Sequence, residues 1–185
     1  MNESWGVRKL LCDGKQKDFV RAMYFTAKAL DSSRLVCSND GWEQVEQTDF
    51  IGIHDYSSVG DGFEEKYRRE KHDCVFPMAR RLMGFGEKYS GIPVIMTEYG
   101  GIALKDSGAV SFVNKTESNN WGYVADDSVE DFMKRYENLT SAVKKCGFAG
   151  FCYTQLTDVK QEVNGLLDEE HEPKFDFKEI KKIND

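Results

Sequence analysis

No stretch of the 185 residues approaches the roughly 20 consecutive apolar positions that a bilayer-spanning helix needs, so membrane association by a helical span is not expected. Positive charge is also in short supply. Lys and Arg together number 25 against 32 Asp and Glu, which leaves a formal net charge of −7 and an isoelectric point near 5.1. A surface of that sign argues against nucleic acid and anionic membranes as partners. Cysteine is limited to five residues, at positions 12, 37, 74, 146 and 152, an odd number with no CxxC pair. This excludes a dense disulfide framework and a Cys-based zinc site, and it leads us to expect reduced thiols in a cytoplasmic setting. Repeats, low-complexity tracts and linkers are absent too. What is present is an apolar fraction of 40%, with 12 Phe, 8 Tyr and 3 Trp. That is enough for a sizeable core in one domain covering residues 1–185.

Short apolar runs alternate with helical patterns. Residues 34–38, 50–53, 93–97 and 149–153 read as strands, and their lack of polar alternation suits parallel strands buried on both faces. Between them, Phe19, Val20, Met23, Ala27 and Leu30 predict the buried face of a helix over 17–30. A second helix is predicted over 75–89, with Pro77 tolerable only in its first turn. A third starts after Ser128 as cap, buries Val129, Phe132, Met133, Tyr136, Leu139 and Val143, and stops at Gly147. Residues 177–183 predict a terminal helix. The alternation implies an α/β fold with a parallel sheet, in which chemistry collects at the C-terminal ends of strands. Polar and aromatic residues do cluster there: Ser38 to Trp42, His54 to Tyr56, Thr97 to Gly101, and Tyr153 to Asp158.

Glu98 is the sharpest single candidate, because it ends an apolar strand and precedes Tyr99-Gly100-Gly101, where two glycines permit a tight turn. From position alone, an ion-paired loop carboxylate fits equally well. Glu3, in Asn2-Glu3-Ser4-Trp5-Gly6, would by itself pass for an ordinary acid near a chain end.

Taken with Ser38-Asn39-Asp40-Gly41-Trp42-Glu43, Ile53-His54-Asp55-Tyr56, the stretch Phe151 to Asp158, the stretch Gln161 to Leu167, and Pro173-Lys174, these residues resemble glycoside hydrolase family 2, the β-galactosidase, β-glucuronidase and β-mannosidase group. The resemblance spans nearly the whole chain. It implies a (β/α)8 TIM-barrel fold, of which the chain holds the tip of the fourth strand and strands five to eight. It also implies retaining hydrolysis of β-glycosides. Glu3 would be the acid/base and Glu98 the nucleophile, and Asn2 would hold the sugar 2-hydroxyl. The mechanism needs the two carboxyls about 5–5.5 Å apart, with Glu3 protonated at the outset and Glu98 ionised.

Further residues are candidates for supporting roles. By the resemblance Tyr56 would hydrogen-bond the nucleophile, and His54 would either contact a sugar hydroxyl or be a buried, satisfied histidine. Tyr153 stands where related enzymes carry a sugar-stacking Trp. Trp42 and Trp121 are candidate stacking platforms, and core or lid packing explains either equally. Gln155, Asp158 and Asn164 would form the rim or order its loop. His54, Asp55, His72 and Asp73 match no metal-site spacing, so neither a metal nor a cofactor is expected. The expected partner is a carbohydrate substrate. Because a complete barrel takes about 250 residues, the chain is expected to be part of a longer protein. By itself it should self-associate through open barrel edges and show little activity, with Glu3 loosely held. A non-catalytic carbohydrate-binding or assembly module built on half a barrel is the competing expectation. Another retaining family on the same barrel would keep both glutamates and change the sugar.

Overall fold

The computed structural model describes residues 1–67, 75–76, 80–105, 110–111 and 121–185. In chain order the elements are α1 (Gly14–Leu30), β1 (Ile51–Asp55), α2 (Phe63–Lys66), β2 (Val75–Phe76), β3 (Arg80–Arg81), β4 (Val94–Gly100), β5 (Ile102–Leu104), β6 (Val110–Ser111), β7 (Trp121–Gly122), β8 (Val124–Asp126), α3 (Val129–Lys145), β9 (Gly150–Thr154) and α4 (Phe177–Asn184). The longest strands form a three-stranded sheet in the order β1-β4-β9. β5 pairs with β8, and β6 with β7, both in parallel. The α/β class is therefore as expected. Among the described residues no helix is long and apolar enough to cross a membrane.

The chain divides into two compact units, and it passes from the first to the second after His54, Thr97 and Phe151. In the first unit, Val7, Leu10, Val20 and Val45 form a buried cluster beneath α1. Asp13 caps that helix, its carboxylate accepting from the amides of Lys15 and Gln16. The buried face of α1 differs from the predicted one. Lys17 and Val20 are buried, whereas Phe19, Met23 and Leu30 are 46%, 45% and 84% exposed. The cause is Glu87, almost fully buried, which draws the basic face inward. Arg21 pairs with it at 2.6 Å and Lys17 at 3.9 Å, and the Lys17 ammonium also donates to the Phe85 carbonyl.

Two further expectations are corrected in this unit. Residues 34–38 form no strand, and two of their amides go to side chains. The Val36 amide donates to Asp49 Oδ2 at 2.8 Å, and the Ser38 amide donates to Thr48 Oγ1 at 3.1 Å. Nor do the described residues of 75–89 form a helix. Val75–Phe76 and Arg80–Arg81 pair antiparallel, and the amides of Glu43 and Gln44 donate to the carbonyls of Arg81 and Leu82. Those carbonyls thus serve a neighbouring segment instead of an intrahelical ladder. His72, Asp73 and Pro77 lie outside the described residues.

In the second unit the predicted third helix is present as α3. Ser128 caps it, accepting from the Asp131 amide, and Phe132, Tyr136, Leu139, Thr140 and Val143 are buried. Phe132 stacks on Phe175 with ring centroids 4.1 Å apart, and Ile180 of α4 is buried. The terminal helix starts at Phe177 as expected, capped by Asp176.

Candidate active site

In the first unit Glu3 is clamped by the segment that follows Cys37. Its amide donates to the Asp40 carbonyl at 2.9 Å, the Asp40 amide donates to the Met1 carbonyl at 2.9 Å, and Asn2 and Asp40 form a parallel bridge. Glu3 and Ser4 both adopt left-handed backbone, with φ of 48° and 57°, which costs on the order of 1–2 kcal/mol per residue. A buried polar network offsets that cost. The Ser4 hydroxyl donates to Glu43 Oε2 at 2.8 Å, Asn39 Nδ2 donates to the Ser4 hydroxyl at 3.1 Å, and the Ser4 amide donates to Asn39 Oδ1 at 3.1 Å. Asn39 Nδ2 also reaches the Trp42 carbonyl at 2.6 Å. The expectation of a loosely held Glu3 therefore fails: paired backbone and a buried side-chain network fix it from the next segment.

The Glu3 side chain meets His54 from β1. His54 Nδ1 lies 2.9 Å from Glu3 Oε1, and its Nε2 lies 3.4 Å from Asp40 Oδ2. The imidazole is fully buried, while the two carboxylates remain 20% and 28% exposed. Asp40 is in turn held by the Thr97 hydroxyl at 2.6 Å and the Gly41 amide at 3.0 Å. The hydrogen bond from His54 holds the Glu3 carboxyl below its usual range, outweighing burial. For Asp40, burial pushes upward, but the bonds from His54 and Thr97 prevail and the net shift is downward. The ionised form of Glu3 is thereby favoured in the unliganded chain. Gly52 on β1 makes this packing possible, because a Cβ there would collide with the Asp40 carboxylate and the Thr97 hydroxyl.

In the second unit Glu98 lies near the end of β4, half-buried, and accepts a hydrogen bond from the Tyr56 hydroxyl. The Tyr56 ring stacks on Tyr123 at 3.7 Å and 3°, so the phenol is aimed by a flat contact. Gly100 and Gly101 follow with φ of 92° and 66°, and a Cβ on either would strike Tyr153 or Tyr123.

The remaining sequence candidates fall into place differently. Asn2 is exposed, beside Glu3. His54 does not present an open nitrogen edge to a sugar, because Glu3 and Asp40 flank its two ring nitrogens. Trp42 is 7% exposed and stands edge-on to His54 at 5.7 Å, a packed position that fits the core-packing alternative and not an open platform. The Tyr153 ring meets Tyr99 at 5.7 Å, Tyr136 at 5.1 Å and Phe132 at 6.4 Å, all edge-on. Its hydroxyl accepts from the Ile102 amide at 3.1 Å and donates to the Asn164 carbonyl at 3.2 Å, so it packs the second unit. Gln155 and Asn164 order their loop: the Gln155 amide donates to the Asn164 carbonyl at 3.3 Å, and Asn164 Nδ2 donates to the Thr154 carbonyl. Asp158 pairs with Lys174 at 3.0 Å. The side chain of Trp121 lies outside the described residues. Sequence reasoning missed Asp40, Asn39, Ser4 and Thr97 as positioning groups. The available signal was the dense run of short polar residues at 38–40.

Carboxylates tied to an imidazole in one unit and to a phenol in the other are the equipment of acid–base and nucleophilic chemistry. The chain belongs to the family described as Glycosyl hydrolases family 2, TIM barrel domain, which it matches over residues 2–185. Membership points to glycoside hydrolysis in general, and it bears out the family resemblance read from the sequence. A search of curated proteins finds no match.

Proposed function

We propose that this chain carries the acid/base and the nucleophile of a retaining β-glycosidase. Glu98 attacks the anomeric carbon and forms a covalent glycosyl-enzyme. Glu3 delivers a proton to the departing oxygen and then takes one from the incoming water. The observation that supports this most directly is the Tyr56 hydroxyl donating to Glu98 at the end of β4. Such a bond favours the ionised carboxylate, which a nucleophile requires, and it aims one of its lone pairs. Asn2, exposed next to Glu3, is suited to the sugar 2-hydroxyl. Galactosides, glucuronides and mannosides are the candidate substrates. The free thiols of Cys12, Cys37, Cys146 and Cys152 support a reducing, cytoplasmic setting.

The decisive experiment is to trap the intermediate with a 2-fluoro β-glycoside and map the label by peptide mass spectrometry. The expected label is on Glu98, and a label on any other acid removes the assignment. Self-association through sheet edges is a separate expectation. Light scattering at high concentration should report a mass above 21.2 kDa, and a stable monomer there refutes it.

A further inference from the structure

His54 was a candidate for touching sugar, yet its surroundings suit a different task. The ring has no exposed surface. Glu3 Oε1 stands at one nitrogen, Asp40 Oδ2 at the other, and the edge of Trp42 packs against it. The other groups on Asp40 are donors from Thr97 and Gly41. A buried imidazole with a carboxylate oxygen near each nitrogen is best satisfied as the cation, because Nδ1 then donates a charge-assisted bond to Glu3 at 2.9 Å and Nε2 faces the opposite charge of Asp40 at ion-pair distance, 3.4 Å. The arrangement parallels the logic by which an acid orients the imidazole of a catalytic triad, but here the third member is another carboxylate.

We infer that Asp40, His54 and Glu3 form a proton relay in which His54 stores the proton that Glu3 gives to the leaving group. This deepens the reading of Glu3 as acid/base and rests on it. Before reaction, His54 holds protons on Nδ1 and Nε2 and Glu3 is ionised. As the glycosidic bond lengthens, the Nδ1–H bond breaks and the Glu3 carboxyl gains that proton. The carboxyl passes it to the glycosidic oxygen while the C1–O bond breaks and the Glu98–C1 bond forms. His54 is left neutral, with its remaining proton on Nε2 facing Asp40, which fixes the tautomer. In the second step water loses a proton to Glu3 and its oxygen bonds to C1, while the Glu98–C1 bond breaks. Glu3 returns the proton to His54 Nδ1, so protons and charge balance over the cycle. The relay accounts for an acid whose carboxylate lies against a fully buried imidazole, and it gives His54 and Asp40 positioning roles without sugar contact.

The test has two arms. In the 15N-labelled chain, the His54 ring, assigned through its own backbone resonances, should show both nitrogens protonated at pH 7, and Asp40→Asn should convert it to a neutral ring. A neutral His54 in the unaltered chain overturns the relay, whatever the activity. In an active protein containing the chain, Asp40→Asn and His54→Gln should slow an alkyl β-glycoside at least about 10-fold more than a dinitrophenyl β-glycoside, which needs little protonation. Equal losses on both substrates also overturn it. Glu3→Gln separates the two claims. If it fails to discriminate between the leaving groups, the acid/base reading itself falls. If it discriminates and the other two variants do not, only the relay falls.

Discussion

The surroundings of Glu3 and of Glu98 differ in kind. Glu3 is fixed by polar groups: left-handed backbone, paired amides, a buried Ser4–Asn39–Glu43 network and an imidazole shared with Asp40. Glu98 stands on a regular strand and accepts from the phenol of Tyr56, which an aromatic stack aims. A group that must gain and lose a proton within each cycle benefits from titratable neighbours that share it. A nucleophile benefits from a neutral donor whose position is set by apolar packing. The contrast therefore follows the division of labour proposed for the two residues.

The largest effect expected is at the nucleophile. In an active protein containing this chain, Glu98→Ala should lower turnover of an aryl β-glycoside by roughly 10⁴-fold or more, with the folded content unchanged by circular dichroism. Next is the apolar support of the second unit. Phe132→Ala removes a ring that is 1% exposed and stacked on Phe175, and it should cost about 3–5 kcal/mol in urea unfolding. Tyr56→Phe keeps the stack on Tyr123 and deletes only the hydroxyl. Losing a bond to a charged group is worth about 1.5–3 kcal/mol, so kcat should fall roughly 10- to 100-fold with little change in stability. If stability falls and kcat does not, the phenol is structural and the contrast disappears. On the Glu3 side, Ser4→Ala should cost about 1–2 kcal/mol by removing a buried bond to Glu43.

The smallest effect concerns pH. Glu3 and Asp40 are both held below their unfolded values. Their stabilising contribution is complete above those unfolded values and is lost as pH falls through the folded ones. Asp40→Asn should therefore lessen the drop in unfolding free energy between pH 6 and pH 3, measured by urea titration at each pH. An unchanged drop would show that the His54 contact does little in the folded state.

Much of this was legible in the sequence where one periodicity dominates. The α3 helix, its Ser128 cap, and strands β1, β4 and β9 follow from apolar spacing. The pairing of Tyr56 with a strand-end Glu98 was expected from the family resemblance. The failures share a cause, which is polar groups doing the packing. The inward face of α1 was hidden because a buried Glu87 recruits Lys17 and Arg21, leaving Phe19 and Met23 outside. Residues 34–38 read as a strand, but the side chains of Thr48 and Asp49 take their amides. The Asp40–His54–Glu3 arrangement joins three separate segments through side-chain atoms, and no apolar pattern encodes such a meeting.

The bare Cα at position 52 has a consequence of its own. The strand that delivers His54 leaves room at Gly52 for the Asp40 carboxylate. An alanine there alters no ionisable atom, yet its methyl evicts the carboxylate from its berth. Evolution can thus detune Glu3 by one carbon, two residues upstream of the imidazole, with the identity of every residue that has a chemical role unchanged.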